Sequence, residues 1–245
     1  MRPILVVLAF AAALATTGLV SAQDRPPVVI ELFTSQGCSS CPPSDAYLGE
    51  LSKRSDVIAL SFHVDYWDYI GWADPFAKPG FTERQRSYAR SLKQRYVYTP
   101  EMVVNGMGHD SGIDRSTVRG LIDQAKGQTN AQPGAYVAVS IADRGPAGVT
   151  VSVPAFATDE KLDVWLVAFD PQHKTQVVRG ENRGRELIDH NVVRNLALLT
   201  KWDGKAATWT VSSDKLADCD GVAILVQRAD LGTMVGAAQL RRTSK

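Results

Sequence analysis

The sequence predicts an α/β domain in the N-terminal half, followed by an all-β, antiparallel, sandwich-like domain in the C-terminal half. Three observations predict it. Short apolar runs rich in β-branched residues alternate with helix-period segments as far as residue 127. A polar stretch bearing Pro and Gly follows at 128–134. Beyond it come short strands with period-two alternation and turn-rich gaps, the texture of an antiparallel sandwich or barrel.

The chain opens Met-Arg-Pro, with Arg2 as its only early charge. An apolar run from Ile4 to Ala15 and the small residues Val20-Ser21-Ala22 follow. A charged start, a short greasy stretch and a small-residue exit read as a cleavable signal peptide over 1–22. The run is shorter than the ~20 residues of a spanning helix, and no later run is long enough to cross a bilayer. The expectation is a soluble periplasmic or secreted protein. Removing 1–22 takes away one of the 27 basic residues and leaves them equal to the 26 acidic ones. The strong positive field that nucleic-acid binding requires is absent.

Val28 to Phe33, bounded by Pro26-Pro27 and Ser35-Gln-Gly37, reads as a buried strand. Ser44 to Arg54 carries Ala46, Leu48 and Leu51 at near-helical spacing, and Val57 to Phe62 is a second buried strand. An aromatic loop runs from Tyr66 to Phe81, and Thr82 is placed to cap a helix reaching Tyr96. Met102-Val-Val-Asn-Gly106 reads as a strand ending in an Asn-Gly hairpin turn. Asp114 caps a helix with Val118, Leu121, Ile122 and Ala125 on one face, ended by Gly127. In the C-terminal half the expected strands are 136–141, 149–153, 162–169, 208–211 and 222–226. The expected organisation is thus a signal peptide over 1–22, an α/β domain over 23–127, a linker over 128–134 and a β-rich domain over 135–245.

Chemistry concentrates at Cys38-Ser-Ser-Cys41, between the first strand and the mouth of a helix. Two cysteines at this spacing can close a disulfide with little backbone movement. Helix N–H groups and the helix dipole stabilise a thiolate on the first sulfur, making Cys38 the attacking thiol and Cys41 the resolving one. No second Cys-x-x-Cys completes a zinc site, and Pro42 rather than His follows Cys41, so neither metal nor haem is expected. A structural bridge is the competing explanation. This one closes almost no loop and gains little chain entropy.

The strand–Cys38-Ser-Ser-Cys41–helix unit, the strand 57–62 and Thr99-Pro100 before a strand resemble the thioredoxin superfamily over residues 28–127. More narrowly, three segments are similar to an uncharacterised secreted bacterial family, domain-of-unknown-function family 1223. They are Glu31-Leu-Phe-Thr-Ser-Gln-Gly-Cys-Ser-Ser-Cys-Pro-Pro, His63-Val-Asp-Tyr-Trp-Asp and Tyr98-Thr-Pro-Glu-Met-Val-Val-Asn-Gly. Gly180-Glu-Asn-Arg-Gly-Arg185 and His190-Asn-Val-Val-Arg194 also fit its pattern. The resemblance implies an α/β thioredoxin-like domain followed by an all-β antiparallel sandwich-like domain. It also implies a cis Pro100 that lies against the cysteines, with Thr99, and exposes backbone to an extended peptide. A buried acid behind the cysteines would move the proton of the resolving thiol. Glu31 is the candidate, with a solvent-facing strand end as its other reading. Pro42-Pro43 departs from common thioredoxins and implies a later helix start.

His63, oriented by Asp65, is a candidate thiolate stabiliser or base, or else both satisfy backbone in the aromatic loop. Tyr66, Trp67 and Trp72 line a peptide groove or form core under that loop. Cys219, between Asp218 and Asp220, is a poor nucleophile by charge. Arg183, Arg185, His190 and Arg194 suggest an anion site or a solvated face. The function expected is a thiol–disulfide oxidoreductase-like protein acting on disulfides of exported proteins or peptides, with no cofactor beyond the disulfide. A non-enzymatic extracytoplasmic scaffold and, below it, a copper(I) chaperone are the alternatives.

Overall fold

Val28–Thr34 (β1), Val57–His63 (β2) and Glu101–Val104 (β3) are buried along their whole lengths, as strands covered on both faces must be. The structure, a computed structural model, describes residues 26–131, 134–216 and 218–242. The signal peptide expected over 1–22 lies outside the described residues. β1 runs parallel to β2 and antiparallel to β3, which turns back into Gly108–Asp110 (β4). The turn places Asn105 at φ 52° and Gly106 at φ 66°, left-handed values that Asn and Gly tolerate best.

Alternation along β1 divides its side chains between two helical layers. Val28, Ile30 and Leu32 pack against Leu48 and Leu51 of Pro42–Leu51 (α1) and against Val118 and Ile122 of Arg115–Ala131 (α3). Val29 and Phe33 face the other way, towards Phe81 and Tyr88 of Pro79–Ser91 (α2). α2 begins three residues before Thr82 because Pro79 lacks only an N–H that the first turn leaves unpaired anyway. The Thr82 hydroxyl instead donates to Asp65 Oδ1 at 2.6 Å. α3 continues past Gly127 to Ala131, into the stretch read as linker.

Seven strands follow: Ser140–Asp143 (β5), Val149–Val153 (β6), Leu162–Gln176 (β7), Glu186–Trp202 (β8), Ala207–Val211 (β9), Gly221–Arg228 (β10) and Met234–Arg241 (β11). They do not form a separate domain. One mixed eight-stranded sheet runs through both halves in the order β11-β10-β7-β8-β2-β1-β3-β4. The junction is β8 beside β2, parallel, with Ser61 opposite Val192 and Asn191 Nδ2 donating to the Ala59 carbonyl at 2.7 Å. The expected α/β thioredoxin-like domain followed by an all-β sandwich-like domain is therefore replaced by a single continuous sheet. The physical reason lies in β2. In an isolated N-terminal domain it would be an edge strand, apolar on both faces, with a row of unpaired N–H and C=O groups. β8 covers that edge.

The core is continuous across the junction: Phe33, Phe62 and Tyr88 share one cluster with Phe169, Val193, Leu225 and Met234. A second sheet, β5-β6-β9, packs on the C-terminal part through Val149, Val151 and Val211 against Leu166, Ile224 and Trp202. Among the described residues no helix is long and apolar enough to cross a membrane.

Candidate functional site

β1 ends at Thr34, and the turn Ser35-Gln36-Gly37 carries the chain to Cys38. Cys38 and Cys41 are joined in a disulfide, with Cα atoms 5.5 Å apart. Cys41 is the N-cap of α1, and Pro42 and Pro43 occupy its first two positions. The helix thus starts at once, not later. The prolines offer no N–H groups, however, and the next two, of Ser44 and Asp45, both donate to the Cys41 carbonyl at 2.9 and 3.1 Å. Stabilisation of a Cys38 thiolate is left to the helix dipole.

The Thr99–Pro100 peptide is cis, and Cys38 Sγ lies 3.9 Å from the Thr99 carbonyl oxygen. A disulfide sulfur has no proton to donate; a reduced Cys38 thiol would have one, aimed at this acceptor. Trp67 Nε1 donates to Thr99 Oγ1 at 2.7 Å, and a Cβ on Gly37 would meet Trp67 Cβ at 3.2 Å. The loop containing Trp67 is therefore pressed against the cysteine turn and holds the Thr99 segment. Tyr66 donates to Gln85 Oε1 at 3.1 Å, and both rings pack on the core while staying half-buried.

The structure brings Cys38, Cys41, Thr99, Pro100 and Trp67 together. It does not bring Glu31 to them. Glu31 lies on the α2 face of β1, opposite α1, and takes a bidentate pair from Arg84 at 2.5 and 2.9 Å plus the Tyr88 hydroxyl at 2.5 Å. It neutralises a buried arginine.

His63 is fully buried, and its partner is Asp74, at 2.7 Å from Nδ1. Asp65 is bound to Thr82 instead. Burial works against a charged His63, but Asp74, Asp189 and Asp45 outweigh it and hold its pKa up to about 9. Burial raises Asp45 to about 8, with Asp189 adding to it, and Thr34 Oγ1 donates to Asp45 Oδ1 at 2.7 Å. Burial also raises Asp189. Asp74 stays below its ordinary range despite burial, through His63 and the N–H groups of Gln36 and Phe76.

Gln36 ties this acidic cluster to the cysteine turn, and every polar atom it has is engaged. Its N–H donates to Asp74 Oδ2 at 2.7 Å, and Nε2 donates to Asp189 Oδ2 at 2.7 Å and Thr175 Oγ1 at 2.9 Å. Oε1 accepts from Trp72 Nε1 at 3.1 Å, and the carbonyl accepts from Asn182 Nδ2 at 2.9 Å. Asn182, fully buried in the β7–β8 turn, also donates to the Cys38 carbonyl at 2.9 Å. Glu181 beside it accepts from the Ser39 N–H at 3.2 Å. This turn and the Thr99 loop leave Cys38 1% and Cys41 0% exposed, although Ser39 and Ser40 reach solvent. The sulfurs are covered in this state.

Asp45, Asp74, Asp189, Gln36 and Asn182 were not among the expected site residues. Gln36 lies within the Glu31–Pro43 segment and Asn182 within Gly180–Arg185, and Asp189 directly precedes the His190–Arg194 motif, whereas Asp45 and Asp74 fall in none of these motifs. The four bases singled out there do not converge: Arg194 binds Asp170 at 2.9 Å, His190 packs over Gly49, and Arg183 is exposed. Cys219 is buried, and burial with Asp170 pushes its thiol up to about 12. Among the described residues no group of three or more His, Cys, Asp or Glu side chains is arranged to hold a metal ion.

Among curated proteins none matches the sequence. The chain is similar to protein AGR_C_4864 from Agrobacterium tumefaciens, seen in a crystal structure, at 33% identity and a TM-score of 0.78, covering 91% of this chain and 98% of that one. HBP35 of Porphyromonas gingivalis shares the fold at a TM-score of 0.60, with 16% identity over 90% of this chain and 77% of that one. Residues 29–227 match the family described as protein of unknown function, DUF1223, and the chain belongs to that family.

Proposed function

We propose that this is an exported thiol–disulfide exchange protein whose Cys38–Cys41 bond rests closed beneath the β7–β8 turn until a partner displaces that turn. The reading of export rests on the signal-like residues 1–22. The observation that supports exchange is redundancy. The cysteine turn is already fixed through all the polar atoms of Gln36 and through Asn182. A bridge spanning three residues adds little to that as a brace.

In the reductive direction an incoming thiolate attacks Cys38 Sγ and forms a mixed disulfide. The Cys38–Cys41 bond breaks, its electron pair leaves on Cys41, and that sulfur takes up a proton. Asp45, one helical turn along α1 and neutral up to about pH 8, is the buried acid on the same helix that can supply it. A second thiol of the reductant resolves the mixed disulfide, leaving Cys38 reduced and the reductant oxidised.

One observation favours a second reading, a non-enzymatic scaffold with an inert bridge: Cys38 is only 1% exposed. Single-cysteine variants separate the two. With oxidised glutathione and insulin as disulfide probes, Cys41→Ser should trap a mixed disulfide and Cys38→Ser should not. Equal trapping by both variants, or by neither, removes the assigned roles. An inert bridge would also show itself as a lower melting temperature in mild reductant without any acceleration of insulin reduction.

A further inference from the structure

A cleft of about 990 Å³ opens between α2 and the outer face of β7 and β8, closed at one end by the β10–β11 turn. It is separate from the disulfide, and its size falls in the range of small-molecule sites. Its walls are Phe81 and Ser87 on α2, Trp165 and Leu196 on the sheet, and Leu231 at the closed end. Arg84 also lines it and is 5% exposed, with its guanidinium carbon 5.1 Å from the Trp165 ring centroid.

Two hydrogen-bond donors in this wall find no protein acceptor among the described residues. Arg84 uses Nε and Nη2 for Glu31, Tyr88 and Gln227, while Nη1 makes no hydrogen bond among the described residues. Trp165 Nε1 is buried and likewise has none. Of the two, Arg84 Nη1 is the donor open to the cleft, and an oxygen acceptor brought by a ligand would take the place of water on it. Charge narrows the class. Glu31 already neutralises Arg84 from behind, and the rim sets Lys78 and Arg90 against Glu83 and Asp230. A carboxylate on Nη1 would sit close to the Glu31 carboxylate and be repelled.

We propose that this cleft binds an uncharged, apolar, aromatic compound that presents one carbonyl-type oxygen to Arg84 Nη1. This does not depend on the reading of Cys38–Cys41. It also gives the buried Glu31 a role: it keeps the arginine in place without making the cleft an anion trap.

Prodan, a neutral naphthalene ketone whose emission shifts to the blue in apolar surroundings, is a direct probe on the full chain. A single saturable site is expected, from which 2-acetylnaphthalene displaces prodan at least about tenfold better than 2-naphthoate does. Leu196→Trp and Ser87→Trp fill the cleft from opposite walls. Each should weaken prodan binding by roughly tenfold or more with the far-UV circular dichroism unchanged. Absence of a saturable blue shift, parental affinity in whichever filled variant folds, or equal displacement by ketone and carboxylate would overturn the proposal.

Discussion

Replacing Asn182 by Ala should open the cysteine turn without unravelling the sheet. The side chain makes two bonds to that turn, both at 2.9 Å. The Cys38 carbonyl keeps a second donor, the Cys41 N–H at 3.3 Å. The Gln36 carbonyl keeps none among the described residues and becomes a buried orphan, which costs about 1–3 kcal/mol. Losing the other bond adds about 1 kcal/mol at most, and Arg185, which binds Asn182 Oδ1, is exposed and turns to water. A net penalty of about 2 kcal/mol on the closed form raises the open population about 30-fold.

The assay is the rate at which dithiothreitol reduces Cys38–Cys41 under native conditions, read by alkylation and mass shift. The control is Ile141→Ala, which leaves a cavity in the distant β5-β6-β9 layer and lowers global stability by about 2–5 kcal/mol. Asn182→Ala should accelerate reduction about 30-fold, well beyond what Ile141→Ala does. Equal rates for Asn182→Ala and the parent, or matching rates for both variants, would refute a local cover and show that the sulfurs are reached only by global unfolding.

Three further outcomes follow from the same geometry. The pKa of Asp45 is raised from 3.8 to about 8 and that of His63 from 6.5 to about 9, so the folded state binds extra protons at both. Stability is then lost as pH rises, from about 4 to 8 for Asp45 and from 6.5 to about 9 for His63. The melting temperature should drop by on the order of 5–10 °C between pH 6 and 9, less steeply in Asp45→Asn; an identical slope in that variant contradicts the assignment. Glu31→Gln leaves Arg84 buried and uncompensated and should cost about 3–5 kcal/mol in a denaturant titration. It should leave the disulfide potential unchanged, and a shifted potential would restore Glu31 to the proton path. Cys219 should resist iodoacetamide at pH 8 until the protein unfolds; stoichiometric labelling of the native state would contradict a buried thiol.

Local signals were legible and long-range pairings were not. β1, β2 and the Asn105-Gly106 turn announce themselves through apolar runs and turn chemistry, and the cysteine pair through its spacing. β8 was hidden because Asp189, His190, Asn191, Arg194 and Asn195 break any alternation. Its partner β7 carries register shifts at Val164/Trp165 and Ala168/Phe169, so inward and outward positions change places along the ribbon. β11 was missed because Gly236, Ala237 and Ala238 carry little strand preference. The acidic cluster was unreadable for a related reason: Gln36 meets Asp189 across 153 residues and Asn182 across 146. No spacing rule reaches that far. Glu31 was noticed as an acid in an apolar strand. Its partner, Arg84, lies 53 residues on and was invisible in the local pattern.

The seam between β2 and β8 has a consequence for synthesis. The ribbon that hides the sulfurs belongs to the last third of the polypeptide, so a nascent chain carries Cys38 and Cys41 uncovered long before their shelter exists. A product stopped near residue 134 would carry a raw β2 flank and a Gln36 deprived of Asp189 and Asn182. Such a fragment should clump, because both the β2 edge and the cysteine turn need the later strands.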